Sequence, residues 1–120
     1  MNIEIPLEPR TKKNSSRIII CKGRPMIIPS KQYKDYEKQC KEYMPKCETI
    51  DYPVNIKCLF YMKTRRKTDL TNLLEAIDDI LVKYKVIEDD NYTIIQSHDG
   101  SRVYYDKDNP RTEIEITSEL

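Results

Sequence analysis

Leu70, Leu73, Leu74, Ile77, Ile80, Leu81 and Tyr84 recur at three- and four-residue steps, the period of a helix with one buried face. Such a stripe needs an apolar surface to cover it, and the preceding segment offers one. Tyr52, Val54, Ile56, Cys58, Phe60 and Met62 alternate with Pro53, Asn55, Lys57, Leu59, Tyr61 and Lys63, a period of two that predicts one long strand. Strand and helix are joined by a basic run, Arg65-Arg66-Lys67, and Asp69 marks the helix start.

The polar side of that helix carries Asn72, Glu75 and Asp79, and Asp89-Asp90-Asn91 follows ten residues after Asp79. Basic side chains hold phosphodiesters, and clustered carboxylates hold the Mg²⁺ that helps to cleave them. The residues therefore point to a metal-dependent nuclease. Each acid also has a plainer reading. Asp69 suits an N-cap, which stabilises a helix by about 1 kcal/mol without any chemistry. Asp89-Asp90 suits a turn. Against the plain readings, like charges at helical spacing repel, and a bound cation would offset the repulsion. His98, beside the expected Asp99-Gly100 turn, is either an exposed turn residue or a group that touches phosphate or acts as an acid.

Net charge conceals the partition that matters. Residues 1–68 hold 16 Lys/Arg and 7 Asp/Glu, a net +9, whereas residues 69–120 hold 5 and 13, a net −8. A half that faces a polyanion and a half that faces cations fit this split, as do two solvated surfaces that attract one another in the fold. Cys21, Cys40, Cys47 and Cys58 form no Cys-x-x-Cys pair, and the single histidine lies far from them, which argues against zinc. No signal peptide precedes them, so they are read as reduced thiols, mostly in or near the core, of a cytoplasmic protein. Apolar runs of a few residues cannot span a membrane.

With 120 residues the chain suits one domain, 1–120, with its own core. Ile3 and Ile5 predict a short first strand closed by Pro6 and Pro9. Arg10, Lys12, Lys13 and Arg17 surround Asn14-Ser15-Ser16 in a basic loop, suited equally to phosphate contacts and to solvent. Residues 18–20 and 26–28 flank Lys22-Gly23 as a hairpin. Ser30 is the expected N-cap of a helix whose apolar face is Tyr33, Tyr36, Cys40, Tyr43 and Met44. Residues 92–97 and 102–105 bracket Asp99-Gly100 as a second hairpin, and 112–117 alternates as a last strand.

The segment from Arg65 to Asp90 resembles the RusA family of Holliday junction resolvases, small phage- and prophage-associated endonucleases. That family's signature is an Asp-x-Asp-Asn-Leu-x-Lys motif, a later helical aspartate and an Asp-Asp pair. Here the matching residues are Asp69, Asn72, Leu73, Asp79, Asp89 and Asp90. The Lys12-Lys13-Asn14-Ser15 loop and the Ser30-to-Tyr36 segment fit the family's amino-terminal half, so the resemblance covers most of the chain. Two positions depart from it: Thr71 replaces the second motif aspartate, and Glu75 replaces the lysine.

The resemblance implies an α+β domain with a mixed β-sheet and two main helices, working as a homodimer on branched DNA with no small-molecule substrate. A two-fold protein suits a nearly two-fold four-way junction. By resemblance, Asp69 and Asp90 are Mg²⁺ ligands and catalytic, Asp79 and Asp89 are further ligands, and Mn²⁺ is a substitute ion. Products would be a 5′-phosphate and a 3′-hydroxyl. Glu75 lies one helical turn beyond Thr71 and can carry the displaced carboxylate, as ligand and catalytic group. The DNA-contacting set is Lys12, Lys13, Arg17, Arg65, Arg66, Lys67, Asn72 and Arg102. Two rivals differ in class: a DNA-binding module of the same fold without chemistry, and an acid-rich protein-interaction module.

Overall fold

A computed structural model of the chain describes residues 1–12 and 16–120, without the side chains of residues 16, 17 and 29. Among the described residues seven strands and two α-helices follow one another, with a 3₁₀ turn at Lys41–Tyr43 after the first helix: β1 (Asn2–Ile5), β2 (Ser16–Cys21), β3 (Arg24–Pro29), α1 (Lys31–Cys40), β4 (Val54–Met62), α2 (Leu70–Lys83), β5 (Ile95–Ser97), β6 (Arg102–Tyr105) and β7 (Arg111–Ser118). The fold is α+β with a mixed sheet, as expected.

β4 organises the sheet. β7 lies antiparallel on one side of it and carries β1 on its far edge, while β5 and β6 lie parallel on the other side. The expected alternation holds: Val54, Ile56, Cys58, Phe60 and Met62 are buried, and their intervening neighbours are half-buried. Register brings Ile114 opposite Cys58 and Ile3, and Ile116 opposite Ile56, so one face of the sheet is apolar across three strands. Both helices contribute to the same core, α2 through Leu73, Ala76, Ile77, Ile80 and Leu81, α1 through Tyr33, Tyr36 and Cys40. Burial of such a stripe, more than helix propensity, is what holds a helix of this length. Ser30 caps α1 as predicted, its Oγ accepting from Tyr33 N–H at 3.2 Å. Beyond α2, Lys85 adopts φ 59° and Val86 N–H donates to Leu81 O at 2.9 Å, which turns the chain back along the helix.

Three expectations need correction. Asp99-Gly100 does not close a hairpin: β5 and β6 both run parallel to β4, and the turn is a step between two segments of one sheet edge. Gly100 has φ 87°, as the pattern required, but the step is fastened to β4 rather than folded on itself. Asn55 Oδ1 accepts from Asp99 N–H at 2.7 Å, Asn55 Nδ2 donates to Asp99 O at 3.2 Å, and Ser101 Oγ accepts from Cys58 N–H at 3.0 Å. The strand expected at 92–97 is also shorter, beginning at Ile95, because the amide of Ile95 turns back to Asn91 O. Of the four thiols, Cys40 and Cys58 are buried and Cys21 and Cys47 are exposed, so half rather than most lie in the core. Among the described residues no helix is long and apolar enough to cross a membrane.

Candidate active site

The predicted functional side chains sit on α2 and on the two segments that flank it. Asp69 occupies the N-cap position of α2, with φ −75° and ψ 132°, yet its carboxylate makes no capping bond. A capping aspartate turns an oxygen onto an N–H of the first turn. Here Oδ2 instead accepts from Asn72 Nδ2 at 3.4 Å, and the residue is exposed. Just before it Arg65, Arg66 and Lys67 are exposed as a group. The Arg65 guanidinium lies 4.1 Å from the ring centroid of Tyr105 at the end of β6, a cation–π contact that fixes one member of the basic run.

Asp79 stands ten residues further along α2, about 15 Å down the helix axis, with Glu75 between them, exposed and about 9 Å from Asp69. Lys12 meets Asp79 there, Nζ to Oδ2 at 2.7 Å, and lies 5.8 Å from the Tyr33 ring centroid. The basic loop therefore begins as a counterion of the helix. Asp90 reaches the same end of α2. Its carboxyl is raised by burial first, then by its bond to Asp89 and by the charges of Asp89 and Asp79. Asp89 behaves as the turn reading expected: Oδ1 accepts from Asp90 N–H at 2.8 Å and Oδ2 from Asn91 Nδ2 at 3.0 Å. Those bonds hold its carboxyl below the usual range.

The acids thus divide between the two ends of α2, Asp69 with Asn72 and the basic run at one, Asp79 and Asp90 with Lys12 at the other. Among the described residues no three His, Cys, Asp or Glu side chains converge to hold a metal ion. The repulsion inferred from the spacing is relieved by distance along the helix and by Lys12. Arg102 lies on β6 opposite Leu59, on the face of the sheet turned away from α2, and is exposed. Lys13 and the side chain of Arg17 lie outside the described residues.

Asp78 was missed by sequence reasoning. Its Oδ2 lies 2.9 Å from His98 Nε2, and His98 Nδ1 donates to Ile56 O at 2.9 Å. Asp78 Oδ1 is buried without a hydrogen-bond partner among the described residues. Burial raises the Asp78 carboxyl; His98 opposes that rise, and Asp90 and Asp79 add to it. Burial disfavours the charged imidazole, but the bond and charge of Asp78 outweigh it, so His98 holds its proton above its ordinary value. A signal was present: Asp78 falls four residues after Leu74 and three before Leu81, on the apolar side of the helix. His98 is half-buried and has a partner at each ring nitrogen, unlike an exposed turn histidine.

A family model described as endodeoxyribonuclease RusA matches residues 6–117. No curated protein matches the chain. The matched region takes in the basic loop, both helices, the Asp89-Asp90 turn and every strand except β1. The chain therefore belongs to the RusA family of endodeoxyribonucleases.

Proposed function

We propose that this protein is an Mg²⁺-dependent endonuclease that resolves four-way DNA junctions by paired incisions as a homodimer, with Mn²⁺ as a substitute ion. Family membership supports a nuclease of the Holliday junction resolvase class. The observation that carries the finer reading is Asp69, a carboxylate at the head of α2, exposed and not bonded as a cap, one residue after a run of three exposed cations.

The chain's own groups divide the work. Arg65, Arg66 and Lys67 neutralise and orient the phosphodiester backbone, and the Tyr105 ring under Arg65 reduces the freedom that residue loses on binding. Asn72 steers Asp69 through its amide. Asp69 and Asp90 are the proposed ligands, but they lie at opposite ends of α2 and do not share one ion within a single chain; Asp79 stands near Asp90, and Asp89 holds the turn that presents Asp90. Mg²⁺ takes one or two carboxylates from a protein and completes its shell with water and phosphate oxygens, so either end of α2 alone, Asp69 beside the basic run or Asp90 with Asp79, would hold it, whereas the full set does not converge. When bound, the ion supplies charge neutralisation of the phosphate and a water of lowered pKa.

One observation favours a second reading, a junction-binding module without chemistry: Thr71 stands exposed in the first turn of α2, where the family motif has an aspartate. Incubation with a synthetic mobile four-way junction, with and without Mg²⁺, separates the two. Symmetric cuts that require the ion are expected. Tight junction binding with no cuts in Mg²⁺ or Mn²⁺ would support the second reading instead.

A further inference from the structure

We infer that the open edge of the sheet at Tyr104 is a stacking platform for an unpaired base, so that the branched DNA this chain takes carries a single-stranded segment, a flap or a gap, at its branch point. This rests on the nuclease reading and deepens it by naming the substrate class. Three residues from three strands stand side by side on the face of the sheet turned away from α2. The register sets Arg111 of β7 and Tyr104 of β6 on either side of Tyr61 of β4. The Arg111 guanidinium lies 3.7 Å from the Tyr61 ring centroid, and the Tyr61 and Tyr104 rings stack at 5.1 Å with 21° between their planes. Among the described residues no strand pairs with the outer edge of β6, so Tyr104 ends the row, and it is 43% exposed. One face of its ring is covered by Tyr61; the other is open to continue the stack.

The surroundings indicate what continues it. Arg102, two residues earlier, is exposed on the same face of β6. On the other side of the strand the exposed Tyr105 carries the Arg65 guanidinium. Arg111 is balanced by Asp106 at 3.1 Å and Glu113 at 2.7 Å, whereas Arg65 and Arg102 make no ion pair among the described residues. β4 and β6 run parallel, so Tyr104 and Tyr105 lie where β4 ends and the chain enters the basic run that leads to Asp69. Flat rings joined by anionic links fit aromatic faces flanked by unpaired arginines, and a single strand of DNA has that composition. Bases inside a duplex do not fit, because their neighbours in the stack cover both faces. A protein strand can pair with the main chain of the same edge, but such pairing makes no use of the ring stack or of the two arginines. Stacking on one aromatic side chain tightens binding about five- to a hundredfold per base.

Fluorescence anisotropy of the full chain without divalent cations, so that nothing is cut, tests the inference. The probes are an oligothymidylate of about 16 nucleotides and an abasic deoxyribose-phosphate strand of equal length and charge. The parent should bind the oligothymidylate more tightly than the abasic strand, by about fivefold or more. Tyr104→Leu keeps an apolar side chain on Tyr61 but has no π-face, and it should lose that preference, whereas Tyr104→Phe should keep it. Affinity of Tyr104→Leu for a fully paired four-way junction should stay within about twofold of the parent's. A parent that binds the two strands equally would overturn the platform and leave the edge to a protein strand. A Tyr104→Leu protein that still prefers bases, or that loses paired-junction binding in equal measure, would overturn it too. Because binding is read without metal, this failure is distinct from failure of the nuclease reading, which shows as paired and flapped junctions both left uncut in Mg²⁺.

Discussion

His98 carries the clearest pH signature of any single residue. Its proton is held above the ordinary histidine value in the fold, by Asp78 against the opposing effect of burial. A group whose folded pKa is raised contributes stability that is fully present below its unfolded pKa, about 6.5, and that disappears as pH rises through the folded value. Melting temperatures from pH 5.5 to 8.5, without divalent cations, should therefore show His98→Gln destabilised by about 1–3 kcal/mol at the acid end, where Asp78 loses its partner. The gap to the parent should narrow toward pH 8.5. A gap that stays constant with pH would mean that the His98–Asp78 contact is neutral. The Asp89-Asp90 pair also divides at this scale. Both oxygens of Asp89 accept bonds within the turn, whereas Asp90 faces Asp79. Junction cleavage by the two asparagine variants should differ, with Asp90→Asn inactive and Asp89→Asn cutting within a few-fold of the parent. Equal losses would show that both acids act in the chemistry.

Elements with a full period were legible in the sequence. The stripes of α1 and α2 and the alternation of β4 each run for several repeats, so burial reproduces the pattern residue by residue. β5 and β6 were not legible as they stand, since Asp99-Gly100 signals a turn but not whether the chain reverses. That outcome is decided by Asn55 and Ser101, contacts remote in sequence. Asp69, Asp79 and Asp90 were legible as a set, but their division between the two ends of α2 depends on where residues 84–90 run after the helix, which is set by bonds of 86–88 to Leu81 and Ile50. Element packing also predicts thiol behaviour. Cys40 on α1 is pushed up to about 12 by burial, and Cys58 on β4 is raised by burial too. In the native protein a thiol titration should count two fast groups, Cys21 and Cys47, and two that react only on unfolding. Four fast groups would contradict the packing of α1 on β4. For the segment leading into α2, neutralising Arg65, Arg66 and Lys67 together should lower the log–log salt slope of junction binding by as much as about 2.7, near 0.9 per lost phosphate contact. An unaltered slope would move the DNA track to the loop that contains Lys12 and Lys13.

Across the whole molecule the +9 and −8 halves are not two separate surfaces. Lys12 from the basic half is bonded to Asp79, and Glu37 from that half to Lys83 of the acidic half, so the halves are joined by one bridge of each polarity and their charge excesses stay as they are. The exposed charge includes the 65–67 run beside Asp69, where the account places DNA and the chemistry done on it. Asp69→Asn on a synthetic four-way junction, with binding and cutting measured on the same preparation in Mg²⁺, tests that placement most directly. The account predicts no cleavage, junction affinity equal to or tighter than the parent's, and an unchanged melting temperature, because the carboxylate makes no capping bond. Cleavage at the parental rate would contradict it.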